Sequence, residues 1–597
     1  MDHKHFLGTV DYVVIAFSLI ISVAIGVKFR HRSTESRTMK NYAMAGRNMT
    51  IFPVVMSISV TLMSSIQIIA NPVETYRFGM QLTVRWFGLV FGTIISTYVF
   101  IPVYFNLGVS TIYEFLELRY GKITRYTVSF LFILQMVNFI SAMLYAPVLA
   151  ISAVTDLSVE MSIIIFGLVC SFYCSIGGLK AVLWTDVFQG ALMIICIVVL
   201  YVQGVKEAGG LTEIFRISIE GQRWNLLNLD MDFTTRYTFW NAFLRGLLGS
   251  MAYFGASQVE VQRVQSLSTV ARARTALLWS LVPTLFIFGT CQFYGMVLYA
   301  IFYTCDPVKD GERTGLTRYD QVVPYYIVTR LSWIPGLTGV CMAGIFSGSL
   351  SSISSAINSL STVTVVDFIL PVFGDRLTES RRVYIAKALT MVYGLACICL
   401  TYVISRADSL AVIIGTLAGM MEGPLLAIFL VAVLTRKGSE KCILFALLAG
   451  FCLVSWIGYG SIFSGYRHPT LPLSTEGCDS TVDSNIFSNT TCSSQNNCTL
   501  QSTTKNIRPE EYFILYRISH AWISTIGCVV TLFCIFLAIS ITGWKHNVIP
   551  SDSKCLSPVT RYWIKNEHLP QQLEFNEDVE LKGMTKPSIS TTIHQID

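Results

Sequence analysis

Apolar residues in this chain gather into long runs separated by short polar connections, and the runs have the length of membrane crossings. A helix through a hydrocarbon layer of about 30 Å needs about 20 such residues. Thirteen runs qualify, at approximately 10–29, 51–76, 82–105, 126–154, 159–177, 183–204, 237–257, 275–303, 336–369, 383–404, 410–434, 442–463 and 518–542. The pattern predicts an all-α polytopic membrane protein of about 13 transmembrane helices. Composition agrees: 597 residues at 53% hydrophobic and only 13% charged exclude a water-soluble enzyme. A net charge of +6 is too weak and dispersed to point to nucleic acid.

Charge then orients the spans. Connections after odd-numbered spans hold twenty Lys and Arg, whereas the N-terminus and the short connections on the other side hold only Lys4, Arg77, Arg85 and Arg406. Positive charge accumulates on the cytoplasmic side. The N-terminus (1–9) is therefore expected outside the cell and the tail (543–597) inside, in a multi-pass protein of the plasma membrane. The first run is too long for a signal-peptide core and lacks a small-residue cleavage site, so it is read as retained. Three longer connections, about 205–236, 304–335 and 464–517, then fall outside. The last carries two glycosylation sequons, at Asn489 and Asn497, while a third match at Asn48 lies on the cytoplasmic side and is expected to be unused. Four of the sixteen cysteines, Cys305, Cys478, Cys492 and Cys498, are external and can form disulfides. Three pairings are open; Cys305 with Cys478 and Cys492 with Cys498 is favoured. The tail is polar and mixed in charge, which predicts disorder.

Two spans do not read as ordinary lipid-facing helices. In the second, hydroxyls, Gln67 and Asn71-Pro72 interrupt the hydrocarbon character. A helix that breaks at membrane depth must line a cavity, where its freed carbonyls can hold a cation; the alternative is tight packing through small residues. In the ninth, Gly348, Ser351, Ser352 and Ser355 recur at i, i+3, i+4 and i+7 and share one face, widened by Ser354, Asn358, Ser359 and Thr362. Such a stripe offers oxygen ligands to a hard cation, or simply packs closely. Asp186 stands where the sixth span begins, either as an ion-related carboxylate or as an acidic residue stabilised near a helix start. No P-loop and no zinc spacing is present, and the eight histidines form no cluster. The chain is read as no enzyme and as using no cofactor; an ion gradient would supply the energy for uphill transport.

These residues resemble a known family. Met44-Ala-Gly-Arg47, Glu74-Thr-Tyr-Arg-Phe-Gly79, Ser110-Thr-Ile-Tyr-Glu-Phe-Leu-Glu-Leu-Arg119 and, most specifically, the stretch from Gly177-Gly-Leu-Lys180 to Asp186-Val-Phe-Gln189 are similar to the sodium/solute symporters. Within them the likeness is to the branch of sodium-coupled monocarboxylate, multivitamin and iodide transporters. It covers roughly residues 8–545. The resemblance implies LeuT-type inverted five-helix repeats at 51–205 and 237–434, preceded by a first helix and cytoplasmic loop at 10–50. An extracellular loop at 206–236 would join the repeats, and two further spans would occupy 435–542.

Carried over by position, a main sodium site would use Val60, Met63, Gly348, Ser351 and Ser352, and a second sodium Thr61, Asp186, Ser354 and Ser355. The substrate pathway would include Gln67, Phe139, Arg245 and Glu422. Leu62 and Gln67 replace the Asn and His of sugar-transporting relatives, which disfavours a sugar. Phe139 stands where tyrosine is usual. Arg245 and Glu422 occupy positions that are typically glycine, so they would pair with each other, or Arg245 would receive an anion that Glu422 tunes. The leading reading is a symporter that imports a small organic anion with sodium by alternating access. A monocarboxylate comes first among its substrates. The alternatives are a vitamin (biotin or pantothenate) or iodide transporter, or a solute-gated sodium conductance that senses rather than transports.

Overall fold

The structure, a computed structural model, describes residues 7–29, 38–154, 158–176, 178–405, 410–478, 512–542 and 548–564. Within them the regular structure is helical, and an isolated β-bridge between Lys437 and Val548 stands in place of any sheet. This is what hydrocarbon demands, since a helix satisfies its backbone polar groups internally.

The principal helices are α1 (Thr9–Lys28), α2 (Ile51–Leu62), α3 (Ser65–Phe78), α4 (Arg85–Val99), α5 (Lys122–Val154), α6 (Val159–Ile176) and α7 (Leu179–Glu207) in the first half. The second half has α8 (Phe239–Gly255), α9 (Val270–Ile301), α10 (Leu337–Val363), α11 (Glu379–Ile404), α12 (Leu410–Leu434), α13 (Glu440–Ser464) and α14 (His520–Thr542). All thirteen expected positions are helical, with α2 and α3 sharing the second at a bend of 47°. Among the described residues, nine helices are long and apolar enough to cross a bilayer alone, and the bent pair makes ten. The remaining positions hold shorter apolar stretches, Val159–Phe172 and Ala418–Leu434, and the 17-residue α8. Length and apolarity therefore support ten crossings directly, and thirteen remains an expectation.

Helix pairings recur in the two halves. The bent pair α2–α3 packs along α9, and α8 packs along α4; α2 meets α7, and α8 meets α12. The opening helix of each half is also interrupted, at Met63–Ser64 in the first and at Ala256–Ser257 in the second, where α8 gives way to the short helix Gln258–Val264. At the centre, every residue of α10 except Leu337 and Val340 is buried, hydroxyls included. Large apolar side chains such as Phe17, Phe91, Phe172, Phe286, Tyr384 and Phe533 lie exposed on the periphery, as a lipid-facing surface requires.

The three long connections fasten onto one place, the end of α3. Met80 donates its N–H to the carbonyl of Arg223, Tyr76 donates its hydroxyl to Asp306 (2.8 Å), and Leu471 donates its N–H to the carbonyl of Arg77. All three therefore lie on the same face of the molecule, here called outer. The Cys305–Cys478 disulfide, one of the open pairings, joins two of them. Cys492, Cys498, Asn489 and Asn497 lie outside the described residues.

One expectation is corrected. The tail is not uniformly disordered: residues 548–564 return to the opposite, inner face, where Ile549 and Arg436 exchange backbone and side-chain hydrogen bonds and Ser557 donates its N–H to the carbonyl of Val433. The end of α12 leaves unpaired carbonyls, and this segment satisfies them.

Candidate transport site

The break between α2 and α3 is where the chemistry gathers. α2 ends at Leu62, and Met63 closes it by donating its N–H to the carbonyl of Val60 at 3.1 Å. α10 crosses the break at Gly348. A Cβ built there would lie 2.7 Å from the Ser65 nitrogen and 3.0 Å from the Ser64 carbonyl carbon. Glycine alone permits so close a backbone approach.

One turn further along α10, hydroxyls take over. Ser352 donates to the carbonyls of Thr61 and Gly348, each at 3.2 Å, and the Thr61 hydroxyl lies 3.3 Å from that of Ser351. Ser351 in turn donates to Asp186 Oδ1 at 2.6 Å, and Ser57 donates to Oδ2 at 2.5 Å. Ser57, Asp186, Ser351 and Ser352 have no exposed surface. Asp186 lies in the second turn of α7, which begins at Leu179, so the helix-start alternative is overturned: its carboxylate is held by side chains of two other helices rather than by the end of its own.

Buried acids outnumber bases around this cluster. Arg263 donates to the carbonyl of Ser57 (3.3 Å) and pairs with Glu260 at 2.9 Å, both fully buried. Asp186 and Glu260 thus offer two carboxyl groups to one guanidinium. A buried carboxylate is costly unless it is paired, and a bound cation would pair it. The donors are hydroxyl, carbonyl and carboxylate oxygens, the set a hard cation takes. The buried Ser355 hydroxyl has no partner among the described residues and offers one oxygen more.

The expected residues fall into this frame unevenly. Gly348, Ser351, Ser352, Thr61 and Asp186 come together. Val60 already accepts one hydrogen bond, leaving its carbonyl a second lone pair, and Met63 is buried at the break. Ser354 turns back to the carbonyl of Ser351 on its own helix (3.1 Å). Ser351 and Asp186, assigned by resemblance to different sodium ions, are directly bonded here.

Two cavities meet beside the cluster. An outer cleft is lined by Gln67, Asn71, Arg85, Arg245 and His520 among others; an inner one runs past Gln135, Asn138, Val259 and Leu425. Thr61, Phe139, Tyr253, Ala418 and Glu422 line both and form the partition. Arg245 and Glu422 pair at 3.0 Å, as one of the two expected arrangements had it. Gln67 accepts a hydrogen bond from Asn71, one turn along α3. At the outer end, Arg236 grips Glu74 with two nitrogens (2.7–3.0 Å), and the Tyr237 hydroxyl donates to the same carboxylate.

Sequence reasoning missed Ser57, Arg263 and Arg85. Ser57 stands four residues before Thr61 on α2, so helical periodicity could have found it. Arg263 and Arg85 were counted only as charges for orientation.

Comparisons with known proteins agree with this architecture. A sequence description of the sodium:solute symporter family matches residues 42–450. The chain is 34% identical to human sodium-coupled monocarboxylate transporter 1 over 569 residues, 92% of this chain and 90% of that one. It is likewise 34% identical over 603 residues to a putative sodium-dependent multivitamin transporter of Drosophila melanogaster, covering 98% and 96%. Its fold matches that of a Na+-coupled sialic acid symporter in a substrate-bound outward-open state, with a TM-score of 0.71 at 19% identity over 89% of this chain and 98% of the other. The chain belongs to the sodium:solute symporter family.

Proposed function

We propose that this protein imports a small organic anion, a monocarboxylate first among candidates, by coupling it to inward sodium flow across the plasma membrane. The observation that carries the reading is the buried oxygen cluster of Ser57, Thr61, Asp186, Ser351 and Ser352, with two acidic side chains to one arginine beside it, placed at the helix break that also walls the cavities. A cation bound there holds α2, α7 and α10 together. Because the break carries Thr61, sodium binding and the shape of the outer cleft are linked, and linkage makes each ligand raise affinity for the other. The N-terminus faces outward and the tail inward in this reading, which the distribution of Lys and Arg supports. Relatives named as monocarboxylate and multivitamin transporters support a carboxylate-bearing solute.

The test is uptake of labelled lactate, nicotinate, biotin, pantothenate and iodide into cells expressing the protein, in sodium and in choline medium. Sodium-dependent uptake of a carboxylate is expected. Uptake indifferent to sodium would overturn the proposal, and so would no uptake despite protein at the surface, which would favour the sensing alternative.

A further inference from the structure

We propose that Arg85 receives the carboxylate of the transported anion in the outer cleft, whose apolar side chains take the rest of the molecule. This rests on the anion-import reading above and goes beyond it by assigning the residue that recognises the charge.

Four charged side chains face the cleft: Glu74, Arg85, Arg245 and Glu422. Glu74 is held by Arg236 through two nitrogens, and Glu422 by Arg245 at 3.0 Å. Each carboxylate therefore has its own arginine. Arg85 has no carboxylate within 4 Å and no side-chain hydrogen bond among the described residues, although Arg245 and Glu422 are close enough to act on it electrostatically. A guanidinium at the wall of a membrane cavity is costly and marks a ligand pathway. Its planar fork suits one carboxylate with two parallel hydrogen bonds.

Position reinforces charge. Arg85 opens α4, and α8 presses against it so closely that a Cβ on Gly246 would lie 2.0 Å from the Arg85 carbonyl oxygen. Its backbone is thus fixed to the scaffold while its side chain faces the cleft, as pre-organised recognition requires. Arg85, Asn71, Leu82 and Leu89 also line a narrow recess with room for no more than about one water, closed by Trp86 and Phe288, whose rings meet edge to face at 4.2 Å. The Trp86 indole N–H is already taken by Gln292 (3.0 Å), so the recess presents apolar surface. A cation in a cleft that also presents Leu62, Leu82 and Leu89 fits an amphiphilic monoanion, its carboxylate on Arg85 and its hydrocarbon against those leucines.

The experiment uses the full-length protein in cells, with uptake normalised to surface protein and straight-chain carboxylates from acetate to hexanoate as probes. Arg85→Gln should raise the half-saturating concentration of the carboxylate by about tenfold to a hundredfold, the range set by losing charge-assisted hydrogen bonds. Arg85→Lys should restore part of that loss. Inhibition by the neutral amide of the same acid should be equal in wild type and Arg85→Gln, which a merely structural role would not produce. Wild-type uptake with unchanged half-saturation in both Arg85 variants would overturn the assignment and leave sodium-anion symport standing. Absence of sodium-dependent carboxylate uptake in the wild type would remove both.

Discussion

Gly348→Ala is the substitution whose consequence follows most directly from the geometry. The added methyl carbon would lie 2.7 Å from the Ser65 nitrogen and 3.0 Å from the Ser64 carbonyl carbon, against an ordinary contact of at least 3.4 Å. Both atoms are backbone, so no side chain can rotate away; α10 and the break must part by roughly 0.7 Å. Overpacking of this kind costs about 1–3 kcal/mol. If the strain falls on the arrangement that binds sodium, half-saturating sodium should rise by about 5- to 150-fold. Uptake at stepped sodium concentrations, normalised to surface protein, reads this. Gly344→Ala is the control. Its Cβ would be equally crowded, 2.6 Å from the Cys196 Cβ, but against α7 rather than the break. It should reduce surface protein or stability without moving sodium half-saturation. A Gly348→Ala protein at the surface with wild-type sodium dependence would refute the placement of the ion site at this crossing.

Other outcomes follow from the same contacts. Asp186→Asn removes the carboxylate that would hold the ion and should raise half-saturating sodium tenfold or more, about 1.4 kcal/mol at the least; Ser57→Ala, losing one hydroxyl on the same carboxylate, should cost only a few-fold. Sodium titration of uptake distinguishes them, and equal effects would contradict the cluster. Arg245→Gly or Glu422→Gly alone strands the partner charge in the cleft and should impair uptake more than the double substitution, so a double-mutant cycle with purely additive losses would break the pair. Asn489→Gln with Asn497→Gln should abolish a glycosidase-sensitive mobility shift; a shift carried by Asn48 instead would reverse the orientation.

The sequence displays some of this architecture openly and hides the rest for identifiable reasons. The bent second span is legible because Ser57, Ser59, Thr61, Ser64, Ser65 and Gln67 are out of place in a lipid-facing helix. The position of the break is not. Pro72 lies inside α3, with α9 so close that a Cβ on Gly295 would press its carbonyl, whereas the chain unwinds at Met63–Ser64, where Gly348 of α10 crosses. That crossing is tertiary, and no local signal announces it. The stripe on α10 was readable from its spacing of three and four. What the stripe meets is not, because Ser351 reaches Asp186 only across the packing of α7 against α10. Asp186 looked like a residue at a helix start because the apolar run begins near 183, but Leu179 to Val182 already form the first turn. Arg85 read as a loop charge until the cleft gave it surroundings, and the ordered inner segment at 548–564 is too polar to reveal that it docks.

The most direct test of sodium-coupled import is the ratio of charge to solute under voltage clamp, with labelled carboxylate flux and current recorded in the same cell. Coupled symport predicts that sodium entry and carboxylate uptake rise together and keep one fixed ratio at every voltage, with inward current wherever more than one sodium enters per anion. Current that flows without uptake, or a ratio that drifts with voltage, would contradict it and make the protein a solute-gated sodium conductance.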